Sequence, residues 1–475
     1  MTPAYALPFR VEWLWSDVLV WLLVVGIVAF ALYTRSRPHL RGPWSRVAGS
    51  AGGMASATVL AVFVLVGLLD SLHYRAALPP QDGKPAWSTE LRSVLDRVLE
   101  PLRASREKTY SAPLATQLFA KETVQLPDGR EERVFPLLRH GGAHLADPAD
   151  RDRDVALKAF RGLSAGLLLW FTLAIGVCAM VARRSESGIG EAWGDIWGGR
   201  TVVAWRAVLC AAGVLCIVAG PVAALAPHYH VFGTDKVGQD VLYQALKSIR
   251  TGLVIGTLAT LVTLPFALVL GVMAGYFKGW VDDLIQYLYT TLSSIPGVLL
   301  IAAAVLMMQV YVENHPELFP STEIRADVRL LALCVILGIT SWTGLCRLLR
   351  GEVLKLRELE YIQAAQAFGV SHWRVMMRHL TPNVMHIVMI ALVMDFSGLV
   401  LAEAVLSYIG VGVDPSMTSF GTMINGARLE MAREPMVWWS LAAAFVFMLA
   451  LVLAANLFAD AVRDAFDPRL RGARA

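Results

Sequence analysis

The sequence has little charge for its length. Asp, Glu, Lys and Arg together make up 17% of its 475 residues, whereas 56% of the residues are hydrophobic. A soluble protein of this size needs far more charge to cover its surface, so the composition indicates an integral membrane protein. The net charge is only +4 and gives no indication of nucleic-acid binding, so we expect none.

Motifs that bind metals or nucleotides, or that catalyse reactions, are also missing. The five cysteines lack the paired spacing of a zinc site, and none lies in the long polar segment, so no disulfide framework is expected. The sequence contains no Gly-x-x-x-x-Gly-Lys-Ser/Thr loop, no Ser-centred nucleophile elbow and no His-Glu-x-x-His motif. We therefore predict that this chain has no catalytic residues, holds no metal and binds no cofactor itself.

Long apolar runs dominate what is present. Runs of roughly 17–26 residues span about 30 Å of hydrocarbon, and because the bilayer forces backbone groups to pair internally, each predicts a membrane-spanning helix. Nine such runs occur, near residues 17–34, 54–71, 161–182, 203–225, 251–275, 284–311, 328–348, 384–409 and 436–460. The first run is followed by arginines and not by a cleavage site, which predicts a retained anchor.

Basic residues in the short loops predict the orientation. If nine spans alternate, five basic groups fall on one side, which is the cytoplasmic side by the positive-inside rule. The groups are Arg35/Arg37/Arg41/Arg46, Arg183/Arg184/Arg200, Lys278, Arg350/Lys355/Arg357/Arg374/Arg378 and Arg463/Arg469/Arg471/Arg474. The N-terminus is therefore predicted outside and the C-terminus in the cytoplasm.

Residues 72–160 form a polar segment that this topology places outside. It contains an amphipathic stretch near 89–104 and a predicted turn at Pro127-Asp128-Gly129. A partly ordered polar insertion and a specific binding module fit the sequence equally well.

Residues 361–383, between the seventh and eighth apolar runs, read as a helix, a glycine turn and a second helix. Ala364, Ala365 and Ala367 have small side chains that allow the backbone of another protein to approach closely. Gly369 is suited to the left-handed residue after a helix. Ser371 can then cap a second helix, which is predicted to end before Pro382.

Two other segments carry local structural signals. Phe232–Val241 predicts a turn in which Thr234 or Asp235 caps an amphipathic membrane-surface helix over 237–248. Pro296 predicts a kink within the sixth span.

Ionisable residues inside a span are candidates for a substrate pathway. Asp395 and Glu403 lie in the eighth run, where burial of a charge is costly unless the residue faces protein or water. For Asp395 a pathway role and a structural hydrogen bond stay open, whereas a structural role is favoured for Glu403.

Histidines recur in two places, and both patterns are weak indications of metal. His372, His379 and His386 are spaced by seven residues, but Pro382 interrupts the shared face, which favours coincidence. His228 and His230 lack a third ligand, so an ordinary surface position is expected for both.

Four ordered motifs resemble the C-type permease subunit of the oligopeptide/dipeptide/nickel family of bacterial ABC importers. The resemblance covers about residues 203–470. The motifs are His230–Val241, the segment 361–383, which resembles the family's EAA loop, Glu403–Gly412 and Asn456–Arg469. Two positions depart from the family pattern: Gln363 stands where Glu is usual, and Thr381 stands where Leu is usual before Pro382.

The resemblance implies an all-α fold with the six-helix permease core of a type I importer, preceded by three extra transmembrane helices and an extracytoplasmic segment. The implied divisions are two helices in 1–71, the polar segment 72–160, a third helix and linker in 161–202, and the permease domain 203–470 with coupling helices in 355–382. The residues implied to contact an ATPase are Gln363, Ala364, Ala365, Ala367, Gly369, Ser371 and Pro382.

The implied function is the permease half of an ATP-driven peptide importer in the bacterial inner membrane. The implied partners are a second homologous permease, two ABC ATPases that hold ATP and magnesium, an extracytoplasmic substrate-binding protein and membrane lipid. Transport of nickel or another small solute, an ion-coupled secondary transporter using Asp395, and a scaffold or sensor using residues 72–160 stay open as alternatives.

Overall fold

The computed structural model describes residues 9–81, 84–125, 131–319 and 321–466. Within these ranges nine helices are long and apolar enough to cross a membrane, which agrees with the number of spans predicted from the sequence. They are Trp15–Ser36, Ala51–Asp70, Pro148–Ser185, Trp205–Leu225, Val241–Phe277, Gly297–Asn314, Thr322–Arg357, His372–Tyr408 and Trp439–Phe466.

The elements follow the chain in this order. The first are β1 (Phe9–Val11), α1 (Trp15–Ser36), α2 (Pro38–Gly49), α3 (Ala51–Asp70), β2 (His73–Gln81), β3 (Lys84–Trp87), β4 (Arg92–Ser93), α4 (Val94–Val98), α5 (Glu100–Ala104), β5 (Glu122–Gln125) and β6 (Glu131–Val134). Next come α6 (Arg151–Ser185), α7 (Ile189–Trp197), α8 (Trp205–Leu225), α9 (Val241–Phe277), α10 (Gly279–Ser294), α11 (Gly297–Asn314) and α12 (Thr322–Arg357). The last are α13 (Glu360–Ala367), α14 (His372–Val375), a π-helix (Met376–Leu380), α15 (Thr381–Tyr408), α16 (Phe420–Arg428) and α17 (Trp439–Phe466).

Contacts between residues group the chain into two compact units that interleave along the sequence. The first holds the described parts of Met1–Trp13, Ser45–Thr251 and Thr418–Ala454. The second holds the described parts of Leu14–Trp44, Gly252–Met417 and Ala455–Ala475. The linear divisions at residues 71, 160 and 202 stay predictions.

In the first unit, the polar segment after α3 is folded where it is described. Strand β2 pairs antiparallel with β1, β3 and β4, and β5 pairs with β6. The amphipathic stretch predicted near 89–104 is divided among β4, α4 and α5, with Pro101 in the first turn of α5, where its missing N–H is tolerated. The turn predicted at Pro127-Asp128-Gly129 lies outside the described residues.

Helices α6 and α8 pack closely through glycines. A Cβ added at Gly166 would lie 2.3 Å from the Cys216 carbonyl oxygen, and one at Gly162 would lie 2.4 Å from that of Gly220. Such small residues let membrane helices approach backbone to backbone. The Trp170 indole donates to the Leu209 carbonyl at 2.8 Å. Together with the two glycine contacts, this bond shows that rising residue numbers on α6 meet falling numbers on α8, so the two helices run antiparallel.

For the helix predicted over 237–248, both the predicted bounds and the predicted capping residue are wrong. It begins at Val241 and continues without a break to Phe277 as α9. Asp240 is the capping residue, because its Oδ1 accepts from the backbone N–H of Leu242 at 2.9 Å and of Tyr243 at 3.1 Å.

The second unit contains two apolar cores. One is formed around Leu349, Val353 and Tyr276, and the other around Leu333, Leu337 and Ile255. Helices α9 and α12 approach closely at Gly271, where an added Cβ would lie 2.9 Å from the Cys346 carbonyl oxygen.

Pro296 ends a helix, so the predicted kink within one sixth span is incorrect. Helix α10 ends at Ser294 and α11 begins at Gly297. Ile295, the residue before the proline, has φ −90° and ψ 132°. This extended conformation is the one that a following proline favours, and it separates the two helices.

Candidate functional site

The segment predicted to dock a partner begins with α13. Leu359 precedes this helix in an extended conformation, and Glu360 in the first turn suits the positive end of the helix dipole. Ile362 is fully buried, whereas Ala364 and Ala367 face the surface. The helix therefore presents small side chains outward from a fixed base.

Gly369 forms the predicted turn. Its φ is +72°, and the N–H groups of Gly369 and Val370 donate to the carbonyls of Gln366 and Ala365, both at 3.0 Å. This pair of bonds is a Schellman motif, which closes a helix with a left-handed residue. No atom lies within 4 Å of an added Cβ, so the backbone conformation, and not space, calls for glycine here.

The second helix does not end before Pro382, contrary to the sequence prediction. Helix α14 passes into the π-helix and then into α15 without an interruption. The Thr381 N–H bonds to the Met376 carbonyl five residues back. A proline in a regular α-helix clashes with the carbonyl four residues before it, and the wider π turn relieves that clash. Ser371 occupies the capping position of α14, but its side chain makes no capping hydrogen bond.

Buried side chains connect this segment to the membrane helices of its unit. Ile362, Val375 and Leu380 have no exposed surface and lie in the same core cluster as α9 and α12. Tyr276 on α9 bonds to His372 Nδ1 at 2.8 Å and accepts from Gln366 at 3.2 Å. These contacts fix the segment to α9 and α12.

Two ion pairs lie near the segment, and they differ in strength. The Arg350 guanidinium on α12 donates two hydrogen bonds, of 2.6 and 2.7 Å, to the Asp282 carboxylate on α10. This bidentate contact lowers the pKa of the Asp282 carboxyl and keeps it charged. Lys278 pairs with Glu358 at 2.8 Å, but both side chains are exposed and the pair contributes little.

The outward face of the segment carries aromatic and basic side chains that were not among the residues predicted from the sequence. Phe368 is 88% exposed and Trp373 is 63% exposed, one on each side of the glycine turn. Tyr361, Arg374 and Arg378 are exposed nearby in the chain. Aromatic residues and arginine are enriched at the centres of protein interfaces. In the sequence, this face is indicated by two large aromatic residues that flank a glycine turn.

Gln363, which stands where the family usually has Glu, makes a hydrogen bond within its own segment. Its amide donates to the Glu358 carbonyl at 3.2 Å. The Glu358 carboxylate is paired with Lys278. Within the described part of the chain, the Glu360 carboxylate has no hydrogen-bond or ion-pair partner. Glu360 is therefore the carboxylate beside Gln363 that is available to a partner.

The two pathway candidates lie on α15 in different surroundings. Asp395 is half-buried, and its side chain has no hydrogen-bond or ion-pair partner among the described residues. Glu403 is 1% exposed and accepts a hydrogen bond from Ser407 at 2.6 Å. Eight residues of helix separate them by about 12 Å, so they form no pair.

The three histidines spaced by seven residues have different neighbours. His372 contacts Tyr276, and His379 lies beside the Tyr361 ring. His386 Nδ1 lies 2.8 Å from the Asn383 carbonyl oxygen. Among the described residues, no group of three His, Cys, Asp or Glu side chains is arranged to hold a metal ion.

In the first unit, His230 is buried, so the expected surface position is wrong for this residue. Its Nδ1 lies 2.7 Å from Asp240, and its Nε2 lies 3.5 Å from Glu107 in the polar segment. Burial opposes the charged imidazole, but the two carboxylates outweigh it and raise the pKa of His230 to about 9. His228, in contrast, is exposed as expected.

Glu107 completes this buried cluster. Burial disfavours its carboxylate, but His230 and the backbone N–H groups of Arg139, His140 and Gly141 stabilise it. Together they lower the pKa of Glu107 to about 2. The polar segment therefore folds onto the chain just before α9, in the region of the His230–Val241 motif.

Comparison with known proteins identifies the second half of the chain. Residues 267–472 match the model of the family described as binding-protein-dependent transport system inner membrane component. This range contains the helix, glycine turn and helix described above.

Curated relatives agree with the family match. The chain is 33% identical over 245 residues to an oligopeptide transport system permease protein of Mycobacterium tuberculosis, covering 52% of this chain and 78% of the relative. It is 32% identical over 244 residues to a glutathione transport system permease protein of Pectobacterium atrosepticum, covering 51% and 73%. It is 28% identical over 242 residues to a dipeptide transport system permease protein of Bacillus subtilis, covering 51% and 69%.

Proposed function

This chain belongs to the family of binding-protein-dependent transport system inner membrane components, and we propose that it is the permease subunit of an ATP-driven peptide importer. The similar proteins are named for oligopeptide, dipeptide and glutathione transport, which supports a peptide as the cargo. The observation that carries the proposal is the exposed aromatic and basic face of the helix–glycine–helix segment in a chain of this family.

In the proposed assembly, a second homologous permease supplies the other half of the pathway. Two ATPase subunits bind and hydrolyse ATP with magnesium, and a substrate-binding protein delivers cargo from outside. This chain itself is non-catalytic in the proposal. Because ATP binding changes the affinity between ATPase subunits, closure of the ATPases would move the docked helices and alternate access to the pathway.

The docking surface is proposed to combine the predicted residues with the newly observed aromatics. Gln363, Ala364, Ala367, Gly369 and Ser371 would contact the ATPase, because all five are exposed. Phe368 and Trp373 would fill apolar pockets on the partner. Ala365 and Pro382 would support the geometry of the segment.

We place the chain in the bacterial inner membrane with its N-terminus outside and its C-terminus in the cytoplasm. The arginine distribution supports this orientation. The packing of the first unit adds support, because α6 runs antiparallel to α8, as alternating spans require. Asp395 is proposed to face the pathway, whereas Glu403 has a structural role through Ser407.

Affinity purification of the full chain from its own cells tests the proposed docking. We expect P-loop ATPases to co-purify with the wild-type chain. Phe368→Ala should reduce their recovery about tenfold, the effect of losing about 1.4 kcal/mol of binding free energy.

Phe160→Ala is the matched control, because Phe160 is an exposed aromatic residue on α6, outside the docking segment. It should leave ATPase recovery unchanged. Equal recovery with Phe368→Ala and wild type, or absence of any ATPase from the wild-type complex, would contradict the proposal.

A further inference from the structure

A cavity of about 550 Å³ lies in the first unit between the N-terminal ends of α3 and α8, beside α7. Gly49 and Ala51 line it on one side, and Ile196 of α7 lines it on another. The Ala204 N–H donates to the Ala48 carbonyl at 2.8 Å and fixes the chain at the start of α8. The cavity opens to the protein surface and is therefore accessible to a ligand.

The lining of the cavity changes from polar to apolar along α8. Thr201 and Arg206 line it near the start of the helix, whereas Cys210, Ala211 and Val214 line it farther along. Arg206 and Val214 are separated by about 12 Å of helix. An elongated ligand with a polar head and an apolar tail matches this gradient.

Arg206 provides the charge that such a head group would need. Its side chain is exposed, and among the described residues it has no hydrogen-bond or ion-pair partner. Neighbouring Arg200, by comparison, is paired with Asp195 at 3.2 Å. A guanidinium without a partner binds phosphate through two parallel hydrogen bonds.

The surroundings identify the source of the ligand. Both α3 and α8 are long and apolar enough to cross the membrane. Val214, at the apolar end of the cavity, is 63% exposed, so in a bilayer this end would meet hydrocarbon. Arg183 and Arg184 at the end of α6 add positive charge in the same unit. Clustered basic residues at a membrane surface attract anionic lipids.

We propose that this cavity binds an anionic phospholipid from the bilayer. The lipid phosphate contacts Arg206, and one acyl chain extends along α8 past Ala211 to Val214. The lipid would fill the space between the extra helix α3 and the helix α8. This binding is independent of the transported substrate and of the ATPases.

Photo-crosslinking in bilayer nanodiscs tests the proposal on the full chain. The probe is phosphatidylglycerol with a photoreactive group in its acyl chain, and the comparison is the same probe with a phosphatidylcholine head. We expect phosphatidylglycerol to label peptides containing residues 204–214 about tenfold more than phosphatidylcholine, as a charge-assisted contact implies. Equal labelling by the two lipids would overturn the proposal.

Two variants locate the contacts. R206Q should abolish the preference for phosphatidylglycerol, whereas the matched control R200Q should retain it, because Arg200 is already paired. A211W should reduce labelling by both lipids, because the tryptophan side chain would fill the apolar end of the cavity. Unchanged preference in R206Q would contradict the role of Arg206.

Competition distinguishes a lipid from a soluble anion. Inorganic phosphate should leave the labelling unchanged, because it has no acyl chain to occupy the apolar end. Loss of labelling on addition of inorganic phosphate would instead identify a soluble-anion site and overturn the lipid assignment. Because the lipid comparison uses wild-type protein, the test does not depend on the folding of any variant.

Discussion

At the scale of single residues, buried charges and backbone conformation define the two most specific local features. His230, Asp240 and Glu107 form a charged cluster that connects the polar segment to the start of α9. Gly369 closes α13 with a left-handed conformation, and the aromatics Phe368 and Trp373 flank the turn. The first feature concerns stability, whereas the second belongs to the proposed docking surface.

The His230 cluster predicts a loss of stability at alkaline pH. The pKa of His230 is raised from an ordinary value of 6.5 to about 9, so its contribution is complete below pH 6.5 and disappears as pH rises through 9. The pKa of Glu107 is lowered from 4.5 to about 2, so its contribution falls only as pH drops from 4.5 towards 2. We expect the unfolding temperature of the purified chain to fall between pH 6.5 and 9.

His230→Gln is the diagnostic variant for that prediction. It should be less stable at pH 6 and should show a weaker decrease between pH 6.5 and 9. His228→Gln is the matched control, because His228 is exposed, and it should follow the wild-type profile. A wild-type-like slope in His230→Gln would assign the pH dependence to other groups.

At the scale of elements, close glycine packing joins α6 to α8. Gly162 and Gly166 on α6 contact the backbone of α8 around Gly220 and Cys216. A side chain at these positions would meet backbone atoms, which cannot move aside as a flexible side chain can.

Gly166→Leu should therefore separate α6 from α8. We expect the free energy of unfolding to decrease by about 1–3 kcal/mol, the usual range for overpacking, measured by thermal or denaturant unfolding in detergent. Gly176→Leu is a matched control on the same helix, because no atom lies within 4 Å of a Cβ at Gly176. Equal destabilisation by the two substitutions would show that glycine packing is not the cause.

The elements could be predicted from sequence where a single strong constraint applies. The nine spans follow from apolar length, and the turn at Gly369 follows from the conformational freedom of glycine. The start of α9 could not be predicted because Thr234, Asp235 and Asp240 are all suitable caps. The buried contact of Asp240 with His230, which accompanies its role as the cap, is not visible in the sequence.

Long-range contacts account for the other misses. The burial of His230 depends on Glu107, 123 positions earlier in the chain, which no local pattern reveals. The helix continues through Pro382 because the π turn before it makes room for the proline. Exposure of Phe368 and Trp373 depends on which face of the segment packs against α9 and α12, so the periodicity of these short helices could not assign it.

At the scale of the whole molecule, residues 267–472 match the permease family, and a folded polar segment lies among the residues that precede them. The matches to relatives cover about half of this chain. Residues 45–251, which include that polar segment, α8 and the start of α9, belong to one unit, whereas α1 belongs to the other. The orientation of the chain in the membrane determines which side is faced by the polar segment and by the segment proposed to dock an ATPase.

Cysteine labelling tests this topology. In a cysteine-free background, Ala149→Cys should react with an impermeant thiol reagent added to intact cells, because residues 72–160 are predicted outside. Ser185→Cys should react only after the cells are permeabilised. Both native residues are exposed and lie outside the proposed docking segment, so access of the reagent depends on sidedness. The reverse pattern would overturn the nine-span orientation.

Peptide uptake by membrane vesicles that contain the complete transport system tests the central claim most directly. Vesicles with the wild-type chain should accumulate a labelled peptide only when ATP reaches the cytoplasmic face, and Phe368→Ala should strongly reduce this uptake while Phe160→Ala preserves it. Uptake driven by an ion gradient without ATP, unaffected by Phe368→Ala and abolished by Asp395→Asn, would contradict the account and identify a secondary transporter.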